Sequence, residues 1–298
     1  MLRNAEHLGR CLPSIAGIMV VDMMLPGKAG ASPLMAIRSL VKHRSLIWQL
    51  TKREVLGRYR NSILGVVWSL VHPLMMLTVY TLVFRFVFKV RWGAEENQNS
   101  VDFALVLFTG LIAHSFFSEC LSRAPNLIVN NVNYVKKVVF PLEVLPLVSL
   151  ATSLFHMGVN LIVLLLFYAV SHLSLNWTAT MFPLLVIPLS LVVLGASWFL
   201  ASVGVFVRDV GYATGVVTSL MLFLAPVFYP ASALPEAYRP LLYLNPLTFI
   251  IEQSREVLIM GKLPSWSGVG IYLLCSVVAA WLGFVWFERT RKGFADVL

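Results

Sequence analysis

An all-α fold of membrane-spanning helices is predicted by three features of this 298-residue chain. First, 58% of its residues are hydrophobic and 12% charged, about half the ~25% charge of a soluble domain, with a mean hydropathy of +0.81. Second, six stretches are apolar over the roughly 20 residues that a helix needs to cross a bilayer. Third, the 23 Lys and Arg outnumber the 14 Asp and Glu and lie mostly outside those stretches. A net charge of +9 can serve nucleic acid, but this placement reads as an orientation signal and not as a nucleic-acid surface.

The six stretches are taken in order. The first runs from Ile63 to Phe88 and holds only Arg85 as a charge; the second runs from about Phe103 to Ser122, with Glu119 near its end. The third, Val144 to Val170, and the fourth, Met181 to Val207, contain no Lys, Arg, Asp or Glu. The fifth is about Tyr212 to Tyr229 and the sixth Gly268 to Phe287. The first, third and fourth are long enough to tilt or to extend past a ~30 Å core. Counting Lys and Arg on alternate sides gives seventeen on the side of both termini and five on the other, with Arg85 left inside a span. That bias predicts cytoplasmic termini.

Residues 1–44 fit this scheme least well. Cys11 to Pro26 is fairly apolar, but Pro13 and Asp22 interrupt it and no persuasive cleavage site follows. A surface-lying or cytoplasmic extension of unknown role is expected, not a seventh span, and Met35 is a plausible alternative start.

Three segments between spans are more than plain loops. Ser45 to Arg60, SLIWQLTKREVLGRYR, places Leu46, Ile47, Trp48, Leu50, Val55 and Tyr59 on one broad arc of a helix, with Gln49, Lys52, Arg53 and Arg60 on the rest. Glu54 and Arg58 interrupt the arc, and their i,i+4 spacing lets them pair. An amphipathic helix on the membrane surface is predicted; the alternative is a basic flank that only orients the first span. Residues 123–142 carry four asparagines, two lysines and a proline near each end. They read either as a short docking helix or as a connector packed on its own bundle. Residues 230–267 are divided by five prolines. Asn245-Pro246 is a helix start, since Asn caps and Pro is tolerated at the first position. The helix after it has Leu247, Ile250, Ile251, Val257 and Leu258 on one face, Glu252, Gln253 and Glu256 on the other and Arg255 at the edge. A half-polar helix dipping into the outer leaflet is predicted, the alternative being an ordinary loop helix.

Several chemistries lack their motifs. The Gly-Lys pairs at 27–28 and 261–262 are followed by Ala29 and Leu263, so the sequence has no P-loop. There is no HExxH, and Cys11, Cys120 and Cys275 form no CxxC. His72, His114, His156 and His172 are scattered and read as structural. No catalytic, metal or cofactor-binding residue is expected. No span has an acidic group at its middle, which weighs against an ion-driven carrier. Gly211-x3-Gly215 is a weak signal for close helix packing.

Against this background the run 46–84 resembles the start of the permease subunit of type-2 ABC exporters of polysaccharide, the family that exports O-antigen, capsule and teichoic acid. The matching residues are Lys52, Arg53, Arg58, Tyr59, Ser62, Leu64, Gly65, Trp68 and Pro73. Val205-Phe-Val-Arg-Asp-Val210 is similar to the family's Arg-Asp turn between spans four and five, and NPLTFIIEQSREVL (245–258) to its signature before the last span. The resemblance covers residues 45–292 in order and none of the first 44, so 45–298 is expected to be one transmembrane domain of this type.

The resemblance implies a homodimer in the bacterial inner membrane, paired with a separate ATPase that holds ATP and Mg²⁺, and moving a lipid-linked glycan. By match, Lys52, Arg53, Glu54, Arg58, Tyr59, Lys136 and Lys137 would couple to the ATPase. Trp68, Tyr80 and Phe84 are candidates for lining a glycan channel, and Asn245, Pro246, Glu252, Arg255 and Glu256 for an outer gate. Two other readings stay open: a type-2 exporter of a drug, haem or lipid, and a multispan enzyme acting on lipid-linked sugars.

Overall fold

A computed structural model describes residues 41–60, 62–83, 100–136 and 140–298. Residues 1–40, the charges Arg85, Lys89 and Arg91, and the candidates Phe84 and Lys137 lie outside them. The described residues form helices, with no strand among them. Eight helices carry the fold: α1 (Arg44–Tyr59), α2 (Trp68–Leu82), α3 (Ser100–Arg123), α4 (Val144–His172), α5 (Phe182–Phe206), α6 (Val210–Leu224), α7 (Pro246–Leu258) and α8 (Trp266–Thr290).

Five segments are long and apolar enough to cross a membrane: Gly65–Leu82, Asp102–Asn126, Val144–His172, Trp177–Phe206 and Trp266–Val297. The expected fifth span is different. Its helix, α6, stops at Leu224 after 15 residues, about 22 Å against a core of ~30 Å. The chain then turns at residues 225–227, where Ala225 and Val227 are fully buried.

α3 is the axis of the bundle, packing against α2, α4, α5, α6 and α7. Its apolar residues Leu105, Leu107, Ile112, Phe116 and Cys120 are buried all round, as a helix enclosed by other helices requires. α5 and α8 form the tightest pair. A side chain on Gly195 would meet the Ala279 carbonyl oxygen at 2.5 Å, and one on Gly283 would strike the backbone of Gly195. Backbones touching in this way need glycine. The Gly211-x3-Gly215 signal pointed elsewhere: Gly215 has no neighbour that a side chain would meet.

Between α1 and α2 the chain bends at Gly65, whose φ of +53° is in the left-handed region that side chains disfavour. The described part of the 123–142 segment is the connector packed on its own bundle and not one continuous helix. It makes two 3₁₀ turns, Ala124–Asn126 and Val129–Asn131, and one helical turn, Val132–Val135. Ala124, Pro125 and Ile128 are buried against the bundle, and Gly204 of α5 leaves room for the Pro125 backbone. Phe294, beyond α8, fills the same lower core, edge-on to Phe287 at 5.6 Å.

α7 begins as predicted: Asn245 Oδ1 accepts the Leu247 amide at 2.9 Å and Pro246 follows at the first position. Ile251 lies against Gly110 in the body of α3, so α7 sits beside the spans. Its far end is held by Asn176, which donates to the Ile259 carbonyl at 3.0 Å, and by Thr178, which donates to that of Val257 at 2.6 Å. Nearby, Asp102 at the start of α3 pairs with His172 at the end of α4, 2.9 Å apart.

Candidate functional site

α1 lies along α4 with Thr51 and Val55 buried. The arc drawn from the sequence is rotated: Trp48 is 70% exposed, while Glu54 and Arg58 lie on the inner side. These two residues do not pair with each other. Arg58 Nη2 donates to Glu119 Oε1 of α3 at 2.7 Å, and Arg123 Nη1 of α3 donates to Glu54 Oε1 at 2.7 Å. Arg123 also reaches Glu119 at 3.5 Å.

His156 of α4 completes the cluster, its Nδ1 lying 3.0 Å from Glu119. Arg58 Nη1 is 3.1 Å from Nδ1 and 3.4 Å from Nε2 of that imidazole, and Tyr59 meets the ring edge-on. Two carboxylates and two guanidiniums thereby neutralise one another where α1, α3 and α4 meet. Burial outweighs the neighbouring cations at Glu54 and holds its carboxyl above the usual carboxylate range. Glu119, Arg123 and His156 were absent from the sequence candidates. The signal was present, however: two charges inside an apolar arc require partners, and Glu119 and Arg123 stand i,i+4 at the end of a span.

The two segments expected to couple to an ATPase come together. Arg53 Nη2 donates to the Tyr134 hydroxyl at 2.9 Å, joining α1 to the last turn of the connecting segment. Between them is a cleft of ≈ 470 Å³, lined among others by Arg53, Glu54, Arg123, Asn126, Asn130 and Tyr134. Lys52 and Lys136 are exposed, and neither lines the cleft.

Above the ion cluster a second cavity of ≈ 390 Å³ is lined by Arg58, Tyr59, Trp68, Ser69, His72, Ser115, Glu119, His156 and Asn160. It shares His72, Pro73, Ser115 and Asn160 with a smaller one of ≈ 130 Å³ that reaches Tyr80 and Phe108. The two form one groove along α2, with hydroxyl, amide and imidazole groups set among aromatic rings. Trp68 and Tyr80, both singled out from the sequence, line it.

At the opposite end, Glu252 accepts the Tyr243 hydroxyl at 2.9 Å and Glu256 accepts from Gln253 at 2.9 Å. The Pro246 carbonyl accepts the Tyr272 hydroxyl at 2.8 Å. The polar face expected on α7 is narrower than the sequence suggested, because Gln253 and Arg255 are buried. Arg255 is 4% exposed; its Nε donates to the Val106 carbonyl of α3 at 3.1 Å and its Nη2 to that of Val227 at 2.8 Å. One backbone carbonyl at the 225–227 turn and one in α3 thus hold a cation that the sequence placed at a helix edge. Among the described residues no group of three or more His, Cys, Asp or Glu could hold a metal ion.

Comparison with known proteins matches residues 45–259 to the family model of the ABC-2 type transporter. An O-antigen export system permease protein, RfbA, of Myxococcus xanthus is 28% identical over 262 residues, covering 87% of this chain and 98% of its own. The protein of the same name from Klebsiella pneumoniae is 25% identical, covering 85% and 95%. The polysialic acid transport protein KpsM of Escherichia coli is 22% identical, covering 80% and 91%.

Proposed function

Because the chain belongs to the ABC-2 type transporter membrane family, we propose that it is the membrane subunit of an ATP-driven exporter of lipid-linked polysaccharide. Relatives named for O-antigen export and polysialic acid transport, aligned over most of both chains, support that cargo. The chain acts as a homodimer in the bacterial inner membrane, both termini cytoplasmic, and supplies no catalytic group. ATP and Mg²⁺ bind in a separate ATPase, in keeping with a sequence that has no P-loop. α6 and the turn after it serve as the fifth of six crossings, the turn being sheltered by protein as irregular backbone at membrane depth must be.

The observation that carries the mechanism is the ion cluster. α1 and the 124–136 segment form one surface through Arg53 and Tyr134, and α1 is tied to α3 and α4 by Arg58–Glu119, Glu54–Arg123 and His156–Glu119. A push on α1 from the ATPase therefore reaches two spans through charged contacts instead of sliding over apolar surface. The groove along α2 starts at Arg58 and Glu119, so the same motion reshapes it. Its aromatic rings suit the apolar faces of sugars and its polar groups suit their hydroxyls. α7, with its Asn245 cap and Glu252 and Glu256, closes the outer end.

The test is the double variant Glu54→Ala, Arg58→Ala. Expected is normal membrane insertion with glycan export reduced at least tenfold and ATP hydrolysis no longer stimulated by substrate. Export at the parental rate would remove the coupling role.

A further inference from the structure

Arg53 differs from the arginines of the ion clusters at this end of the molecule. Arg58, Arg123 and Arg291 each lie on a carboxylate. The exposed Arg53 guanidinium has one hydrogen bond among the described residues, to the uncharged Tyr134 hydroxyl. Tyr134 is held in place by stacking on Phe140, 4.2 Å between centroids and 10° from parallel. Having accepted from Arg53, its hydroxyl keeps a proton to donate. Asn126 and Asn130 add carboxamides to the same cleft, and neither side chain has a hydrogen-bond partner among the described residues. Glu54 also lines the cleft but is engaged by Arg123 at 2.7 Å. Two guanidiniums against one carboxylate leave the lining with one positive charge.

A guanidinium fork, a fixed phenol and two free amides converging on a cleft of ≈ 470 Å³ match the acceptor geometry of a carboxylate. We infer that this cleft is a socket for an Asp or Glu side chain on the ATPase partner; the inference rests on the exporter reading above. The lining joins Leu50, Arg53 and Glu54 of α1 to Ser122 and Arg123 at the end of α3 and to the connecting segment, the two parts expected to meet the ATPase; a lipid phosphate is the competing occupant that the test below separates. A carboxylate seated on Arg53 lies one residue from Glu54, hence at the head of the ion cluster that runs into α3 and α4. The socket supplies the polar, directional part of the contact, and its partner's charge sets register and rate of docking.

The experiment uses the full chain co-expressed with its ATPase, with retention of the chain on immobilised ATPase measured at low and high salt. Wild type is expected to be retained at low salt and progressively lost as salt screens the pair. Arg53→Glu is expected to weaken retention about tenfold or more at low salt, Arg53→Gln less so, and Arg60→Glu, an exposed cation outside the cleft, not at all. An acid-to-lysine change on the ATPase that restores retention of Arg53→Glu identifies the occupant. Equal retention of Arg53→Glu and wild type at both salts overturns the socket and leaves the exporter reading standing, as does loss of binding to anionic vesicles with retention unchanged. If the wild-type chain is not retained at either salt, the exporter reading falls and the socket with it.

Discussion

Glu119 is the residue on which the basic end of the bundle converges. Its carboxylate is shared by Arg58, Arg123 and His156, and its side chain is 19% exposed. Removing one member of a buried ion pair costs about 3–5 kcal/mol, because the partner charge is left uncompensated. Partial exposure and the Glu54–Arg123 pair reduce that here. Glu119→Gln is expected to lower stability by about 1–3 kcal/mol, read as a drop in unfolding temperature in detergent. An unchanged midpoint would mean that solvent screens the cluster. At this scale the sequence was partly legible. Glu54 and Arg58 announced themselves by interrupting an apolar arc, but periodicity within one helix cannot name a partner on another. It therefore suggested the nearest pairing, i to i+4, where the fold offered better partners 61 and 69 residues away.

Elements were read more securely where apolar length decides them, as in α4, α5 and α8, and less so where glycine and proline act through neighbours. Gly65 had a local reason for being glycine, its positive φ. Gly195 and Gly283 owe theirs to each other, across 88 residues of chain, and no local pattern marks them. Gly283→Leu is expected to force α5 and α8 apart and to cost well over the 1–3 kcal/mol typical of core overpacking, seen as loss of monodisperse protein on size exclusion. Gly215→Leu, at a position with open space, should be tolerated. The 124–136 segment left two readings open for a related reason. Its asparagines and valines allow helix or turn alike, and the buried Pro125 and Ile128 decided between them only through contact with α5 and the lower core.

For the whole molecule, the informative surface is apolar. α2 exposes Leu70, Leu74, Met75 and Val79, and α6 exposes Val216, Leu220 and Phe223. These apolar groups of α2 stand beside the residues of the same helix that line the aromatic groove. The homodimer that the family resemblance implies would set a second copy against such faces. Light scattering of the detergent-solubilised chain, corrected for bound detergent, should therefore give about twice 33.3 kDa. A value for one chain would count against the homodimer.

Arg255 sets a mechanical limit on any outer gate. Its guanidinium grips α3 at Val106 and the 225–227 turn at Val227 from within α7. Swinging α7 away alone would strand two carbonyls and a cation in apolar surroundings, a state costing several kcal/mol. Any outer gate built on α7 would therefore have to carry the 225–227 turn with it or keep its hold on Val106 of α3. Flexure is then left to the proline-divided strap at 230–245 and to Gly261, whose φ of +66° already departs from the helix. The moving part of such a gate is a hinged slab.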